Sequence, residues 1–328
     1  MLTKVQYDLL KFDLVLAGVW DTIVKESPIM QRLPFKGINN DIVKYNVETT
    51  MPTVSWLQPG NQIAENTGTF EQRTTNVYTL IGDADTDKSM IAMNPLQNPE
   101  TNDIEAKAKA MAHAFETCFI LGQTSTLAST KEFKGLMRML AEMESATTTD
   151  LDYLNNSQFV AVEADSGPLT MPKLDELIDC IKPGKPDMLM MSRRTRRKVN
   201  ALARAAGSGL VTIELKEYAI FVEAYDGIPI FVSDFIPDNL PDGATSVMTI
   251  ATYNPNTARA ATLDNSIIFA LKLGEDDVTG LQAGAMTHER ETFVEDYNVI
   301  RNRFSWNVSA MCKKKYSLAA ASCFNPDN

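Results

Sequence analysis

Few side chains in this chain are of the types and spacings that do chemistry. Its two histidines, His113 and His288, are far apart in sequence, and His113 falls mid-helix by pattern, a place for a half-exposed imidazole rather than a general base. His288-Glu289 starts like the helical HExxH zinc motif, but position 292 is Thr, so a two-histidine site on that expected helix is excluded. Asp83-Ala84-Asp85-Thr86-Asp87 puts oxygen ligands at alternate positions, as a calcium loop does. Lys88 stands where that loop needs glycine and Asn94 where it needs a bidentate glutamate, so the run reads as a solvated acidic turn. Gly207-Ser208-Gly209 has neither the GxSxG spacing of a nucleophile elbow nor the Lys-Ser/Thr of a phosphate loop. Cys118, Cys180, Cys312 and Cys323 show no CxxC or zinc-type spacing and read as ordinary thiols of a reducing compartment. No catalytic, cofactor-binding or metal-ligating residue is assigned, and the expectation is a protein that is not an enzyme.

The charged residues carry a different signal. Arg193, Arg194, Arg196, Arg197, Lys198 and Arg204 form the densest basic cluster, on a predicted helix whose buried stripe would be Val199, Leu202, Ala203 and Ala206. Such a face suits salt bridges within or between subunits, with contact to nucleic acid or an acidic neighbour as the alternative. The formal net charge of -11 opposes general nucleic-acid binding, which needs a local excess of Lys and Arg against phosphate. Arg301 and Arg303 alternate on the polar side of a predicted strand, and Trp56 lies near the tip of a predicted hairpin. These three, with Arg193, Arg194, Arg196 and Arg197, are the candidate intersubunit contacts.

The elements that position them follow from periodicity. Apolar residues from Val5 to Ile23, interrupted by charge, predict an amphipathic N-terminal helix or arm over Thr3 to Lys25, without a signal-peptide cleavage pattern. Val43, Tyr45, Val47 and Thr49 alternate with polar residues, and a return run of Thr75, Val77, Thr79 and Ile81 predicts a long hairpin. Ile104, Ala108, Met111, Phe115 and Phe119 recur at helical spacing between Pro99 and Gly122, with Asn102 and Glu105 as a capping-box-like start. A mixed unit follows: helices after Thr170 and Ser192, a strand at Met188 to Met191, and a hairpin turn at Asp226-Gly227. The closing strands run from Ser266 to Leu273 and from Tyr297 to Met311. No stretch is long and apolar enough to span a membrane.

In this order the parts resemble the major capsid proteins of tailed bacteriophages, whose fold is shared with encapsulins and the herpesvirus capsid floor. The resemblance is carried by Leu33-Pro34-Phe35-Lys36, Val43-Lys44-Tyr45-Asn46-Val47-Glu48, Leu80-Ile81-Gly82-Asp83, the Pro99 to Gly122 helix, Met188 to Lys198 and Gly227 to Asp234. It implies an α+β fold with an N-terminal arm (1–41), an extended loop (42–95), a peripheral domain with a long spine helix (96–150), an axial domain (151–262) and closing strands that complete both sheets (263–328).

The resemblance also implies self-assembly as hexamers and pentamers into an icosahedral head around double-stranded DNA bound without sequence specificity, localised to the virion and assembled in the host cytoplasm. Because the arm begins at Met1, a separate scaffolding protein is expected beside a portal. No lysine lies between Lys44 and Lys88, so no loop-borne isopeptide crosslink is expected. The alternatives are an encapsulin-type compartment holding a cargo enzyme, or a cytoplasmic hydrolase or binding protein with a pocket between the mixed unit and the spine helix.

Overall fold

The computed structural model describes residues 27–327 except 28, 31, 51, 55, 61, 63–64, 94–97, 124–130, 145–149, 153–156, 163–166, 208–210, 216–219, 242–246, 250–262 and 296. The expected N-terminal helix and residues 208–209 lie outside the described residues. In chain order the elements are β1 (Phe35–Gly37), β2 (Ile42–Thr50), β3 (Thr69–Asn76), β4 (Tyr78–Asp87), α1 (Lys88–Ala92), α2 (Pro99–Leu121), α3 (Leu136–Glu144), β5 (Asp150–Asp152), β6 (Phe159–Ala161) and α4 (Met171–Asp179). Then come β7 (Met188–Met191), α5 (Arg193–Ala205), β8 (Val211–Leu215), β9 (Ile220–Tyr225), β10 (Ile228–Val232), β11 (Leu240–Pro241), β12 (Val247–Thr249), β13 (Leu263–Leu271), β14 (Val278–Gln282), β15 (Thr287–Glu291), β16 (Val299–Cys312) and β17 (Leu318–Phe324).

The spine helix α2 is 23 residues, or about 35 Å at 1.5 Å per residue. Its cap is not the expected Asn102: Asn98 Oδ1 accepts the amide of Glu100, and Pro99 occupies the first helical position, where the missing N–H costs nothing. Ala108, Met111, Ala112, Phe115 and Phe119 are buried on one face, which lies across β4. Gly122 ends the helix in a crowded place. A Cβ there would sit 2.2 Å from the Phe133 carbonyl oxygen, and Gly135 donates its amide to the Gly122 carbonyl at 2.9 Å. Glycine lets the two backbones touch, so α3 starts against the end of α2.

Two sheets flank this helix pair. A five-stranded sheet is built on β16, which carries β4 along one edge and β14 and β15 in succession along the other, with β1 parallel to β14. An eight-stranded sheet runs β6-β17-β13-β7-β10-β9-β8, with β11 on β13. Its central strands β7 and β10, and β13 from Ile267 to Leu271, are apolar because both faces are covered. Met188, Met190, Phe269 and Leu271 enter the cluster shared with α2 and α3, while Leu189, Met191, Ile268 and Ala270 enter a second cluster under α4 and α5. Burying one such Met, Leu or Phe side chain stabilises by about 1.5–3 kcal/mol. The first cluster fills the region between the mixed unit and the spine helix with Phe119, Met190, Phe231 and Phe269, where a ligand-binding reading would need a pocket.

Two expectations are corrected here. The acidic run at Asp83 to Asp87 is not a turn: it is the second half of β4. The return run from Thr75 to Ile81 is not one hairpin strand either. β3 ends at Asn76, Val77 donates its amide to the Asp41 carbonyl, and Tyr78 begins a different sheet.

Candidate intersubunit surfaces

The hairpin of β2 and β3 pairs from Ile42 with Asn76 to Thr50 with Thr69 and shares a backbone ladder with no third strand among the described residues, although Ser309 Oγ of β16 donates to the Asn76 carbonyl at its root. A two-stranded ribbon is marginal alone in water, so its root must be held. Thr75 is buried, Tyr45 is half-buried, and burial raises the Tyr45 hydroxyl above its ordinary pKa. Arg73 places a guanidinium nitrogen 3.3 Å from the Met143 carbonyl, in the last turn of α3, where a cation complements the helix dipole. Farther out the ribbon turns apolar side chains to solvent: Phe70 is 70% exposed and Val54 and Trp56 are fully exposed. At the root is an open cleft of about 420 Å³ lined by Asn39, Asn40, Asp41, Thr79 and Asn307 among others. It holds one carboxylate and one threonine hydroxyl, with no imidazole, thiol or amine in its lining.

The solvent face of the five-stranded sheet carries a ladder of charge. Register places Arg303 between Asp83 of β4 and Glu289 of β15, and Arg301 between Asp85 and Glu291. Arg301 Nε and Nη2 bond the two Asp85 oxygens at 2.8 and 2.7 Å. Hydrogen bonds from the arginines hold Asp83 and Asp85 below the ordinary carboxylate range and raise Arg301 and Arg303 further. The buried Asn302 between them points the other way and bonds His288 Nε2 and a Glu100 oxygen.

On α5 the basic residues divide. Ser192 caps the helix by accepting the Thr195 amide. Arg193 clamps the Asp234 carboxylate with two bonds on the surface. Arg194 is 6% exposed and bonds the Asp264 carbonyl, Asn325 Oδ1 and Asp327 Oδ2 at 2.6–3.0 Å, which ties the end of the chain to the helix start. Arg196 meets Glu223 at 3.3 Å, and Arg197 is exposed without an ion pair among the described residues. The expected buried stripe is thus shifted: Arg194 and Thr195 join Val199 and Ala203 inside, while Ala206 is exposed.

The sequence-selected residues therefore occupy three separate elements and form no single site. Trp56 is at the ribbon tip, Arg301 and Arg303 are on β16, and the remaining arginines are on α5. Sequence reasoning missed Asp83, Asp85, Glu289 and Glu291 as partners of the β16 arginines. Their period-two spacing was the available signal. His288 stands on a strand, not the expected helix, with its ring stacked 4.7 Å from Phe304. His113 is exposed on α2, 5.3 Å from the Phe235 ring. No group of three or more His, Cys, Asp or Glu among the described residues is arranged to hold a metal. No helix among them is long and apolar enough to cross a membrane.

Comparison with solved structures places this architecture. The holo encapsulin complex from Synechococcus elongatus matches with a TM-score of 0.61 at 14% identity, covering 92% of this chain and 89% of that one. The capsid of a native GTA particle matches at 0.63 and 14% identity, covering 92% and 90%. A structure from Mycobacterium phage Adephagia matches at 0.54 and 12% identity, covering 92% and 89%. At these identities the likeness is one of fold, the α+β fold of tailed-phage capsid proteins. No curated protein matches by sequence. The profile of the phage capsid family, however, matches residues 14–282, most of the chain, and the protein therefore belongs to the phage capsid family as a structural capsid protein.

Proposed function

We propose that this capsid-family chain assembles with itself as hexamers and pentamers into an icosahedral head that encloses double-stranded DNA without reading its sequence. The observation that carries this reading is the ribbon of β2 and β3. It is anchored only at its root and ends in exposed Val54 and Trp56, as expected of an arm whose partner is another copy. Closed symmetry lets many modest contacts of this kind sum to a stable shell. In this reading residues 1–41 form an arm, 42–95 the reaching loop, 96–150 the peripheral domain, 151–262 the axial domain and 263–328 the strands that complete both. Trp56, Arg193, Arg196, Arg197, Arg301 and Arg303 are proposed to face neighbours, whereas Arg194 supports α5 from within. A separate scaffolding protein and a portal are the further partners, assembly takes place in the host cytoplasm, and the chain has no catalytic role.

Negative-stain electron microscopy of the purified protein, expressed alone and with its neighbouring genes, tests this directly. Closed shells or rings of six and five are expected; small uniform particles under every condition overturn the reading. An encapsulin-type compartment is the second and weaker reading, because the encapsulin matches in fold at a TM-score of 0.61 against 0.63 for the GTA capsid. The contents separate the two: nuclease-protected DNA favours a phage head, and a co-purifying enzyme a compartment.

A further inference from the structure

A buried carboxyl group sits where three segments meet. Glu116 lies on the inner face of α2 and is 2% exposed. The hydroxyl of Ser233, just past the end of β10, donates to Glu116 Oε1 at 2.5 Å, and Ser233 Oγ itself accepts the Phe235 amide at 3.2 Å. Ser27, fully buried nearby, acts on the carboxyl through its hydroxyl dipole but closes no hydrogen bond of its own. Ile29, Met30 and Leu33 follow Ser27 into the cluster that also holds Phe115 and Phe119 of α2 and Phe231 and Ile236 beside Ser233. The Glu116 side chain thus joins the spine helix to the exit from the eight-stranded sheet, and the arm packs on the same junction.

The charged groups that face it are few. His113 lies one turn earlier on α2, and Asp234 adjoins Ser233 with its own charge held by Arg193. No lysine or arginine among the described residues forms an ion pair with Glu116. One hydroxyl hydrogen bond, with a second hydroxyl nearby, compensates a buried carboxylate only in part. Burial raises the Glu116 pKa, partly offset by the hydroxyls of Ser233 and Ser27.

We propose that Glu116 is a proton-operated latch: its neutral carboxyl holds the sheet exit against the spine helix where the arm packs on both, and its ionisation places an unpaired charge in the core and loosens that junction. This device belongs to the single subunit and does not depend on the shell reading. A carboxyl whose folded pKa lies above its unfolded one contributes stability that is complete below the unfolded pKa and lost as pH rises through the folded pKa.

The test is hydrogen exchange on the full-length purified protein from about pH 5 to about pH 8.5, corrected for intrinsic exchange. Peptides covering Ala108 to Leu121 and Ile230 to Ile236 are expected to lose protection as pH rises, about tenfold for each unit separating the folded and unfolded pKa. Glu116→Gln is expected to stay at the protected, acid-pH level throughout. Ser233→Ala, which removes a donor to the charged form, moves the wild-type midpoint to higher pH and provides the reading if the Gln variant fails to fold. Flat wild-type protection, a Gln variant that repeats the wild-type slope, or an unmoved midpoint in Ser233→Ala overturns the latch.

Discussion

Arg303 and Asp83 lock β16 to β4 through two parallel hydrogen bonds, Nε to Oδ1 and Nη2 to Oδ2, both 2.8 Å. The same geometry repeats at Arg301 and Asp85, and the fork of each guanidinium fits the carboxylate opposite it.

This ladder makes the five-stranded sheet acid-sensitive. Asp83 and Asp85 have folded pKa values below their unfolded ones, so their contribution is present above the unfolded value of about 3.9 and lost as pH falls through the folded values. Thermal melts from neutral pH down to about pH 2 should show a fall in Tm that is smaller in Asp83→Asn/Asp85→Asn. At neutral pH the contribution of these partly exposed pairs is expected to fall as salt is raised. Equal stability of the two proteins at low salt would mean the ladder contributes nothing.

Gly122→Ala should destabilise by about 1–3 kcal/mol, because the new methyl would meet the carbonyl oxygens of Phe133 and Cys118 at 2.2 and 2.5 Å. Urea unfolding of the isolated subunit measures it. A change under about 0.5 kcal/mol would show that the α2–α3 corner opens easily.

Truncating Arg194 leaves Asp264 partly buried without its cation. Arg194→Ala is expected to cost about 3–5 kcal/mol and to expose the last residues to carboxypeptidase, and Arg194→Lys to rescue little, since the acceptors are met by three separate nitrogens of a planar fork that a single ammonium nitrogen does not span. Carboxypeptidase resistance equal to that of the parent protein would rule out the tether.

Trp56→Ser touches nothing within its own subunit, so Tm of the unassembled chain should move by no more than the equivalent of about 0.5 kcal/mol. If the ribbon tip seats on a neighbour, the concentration needed for assembly rises by a factor consistent with about 2 kcal/mol per contact. Light scattering against concentration reads this, and identical curves remove Trp56 from the interface.

The thiols of Cys118 and Cys312 are pushed up to about 12, chiefly by burial. Neither should react with an aromatic disulfide reagent at about pH 8 until the protein unfolds. Rapid labelling of either in the native protein would reveal local opening.

What could be read in the sequence was what local pattern determines. The helical spacing from Ala108 to Phe119 reports burial on one face, and Asp226-Gly227 reports a tight turn because both residues adopt positive φ, 49° and 80°. The misreadings have long-range causes. Asp83 and Asp85 looked like a turn because the arginines that make them a strand come more than two hundred residues later. Arg194 looked solvent-facing because Asp264, Asn325 and Asp327, which permit its burial, are remote in sequence. Asn102 was taken for the cap although Pro99 already marks the first turn. The packing of Gly122 against Phe133 and Gly135 leaves no periodic trace at all.

The passage from β3 into β4 at Val77 has a mechanical meaning. The chain leaves the ribbon and at once becomes a strand zipped to β16 along all ten of its residues. A pull along β4 loads those rungs together in shear instead of peeling them one at a time. Tension reaching the subunit through its longest lever is delivered to the sheet in the direction in which the sheet is stiffest.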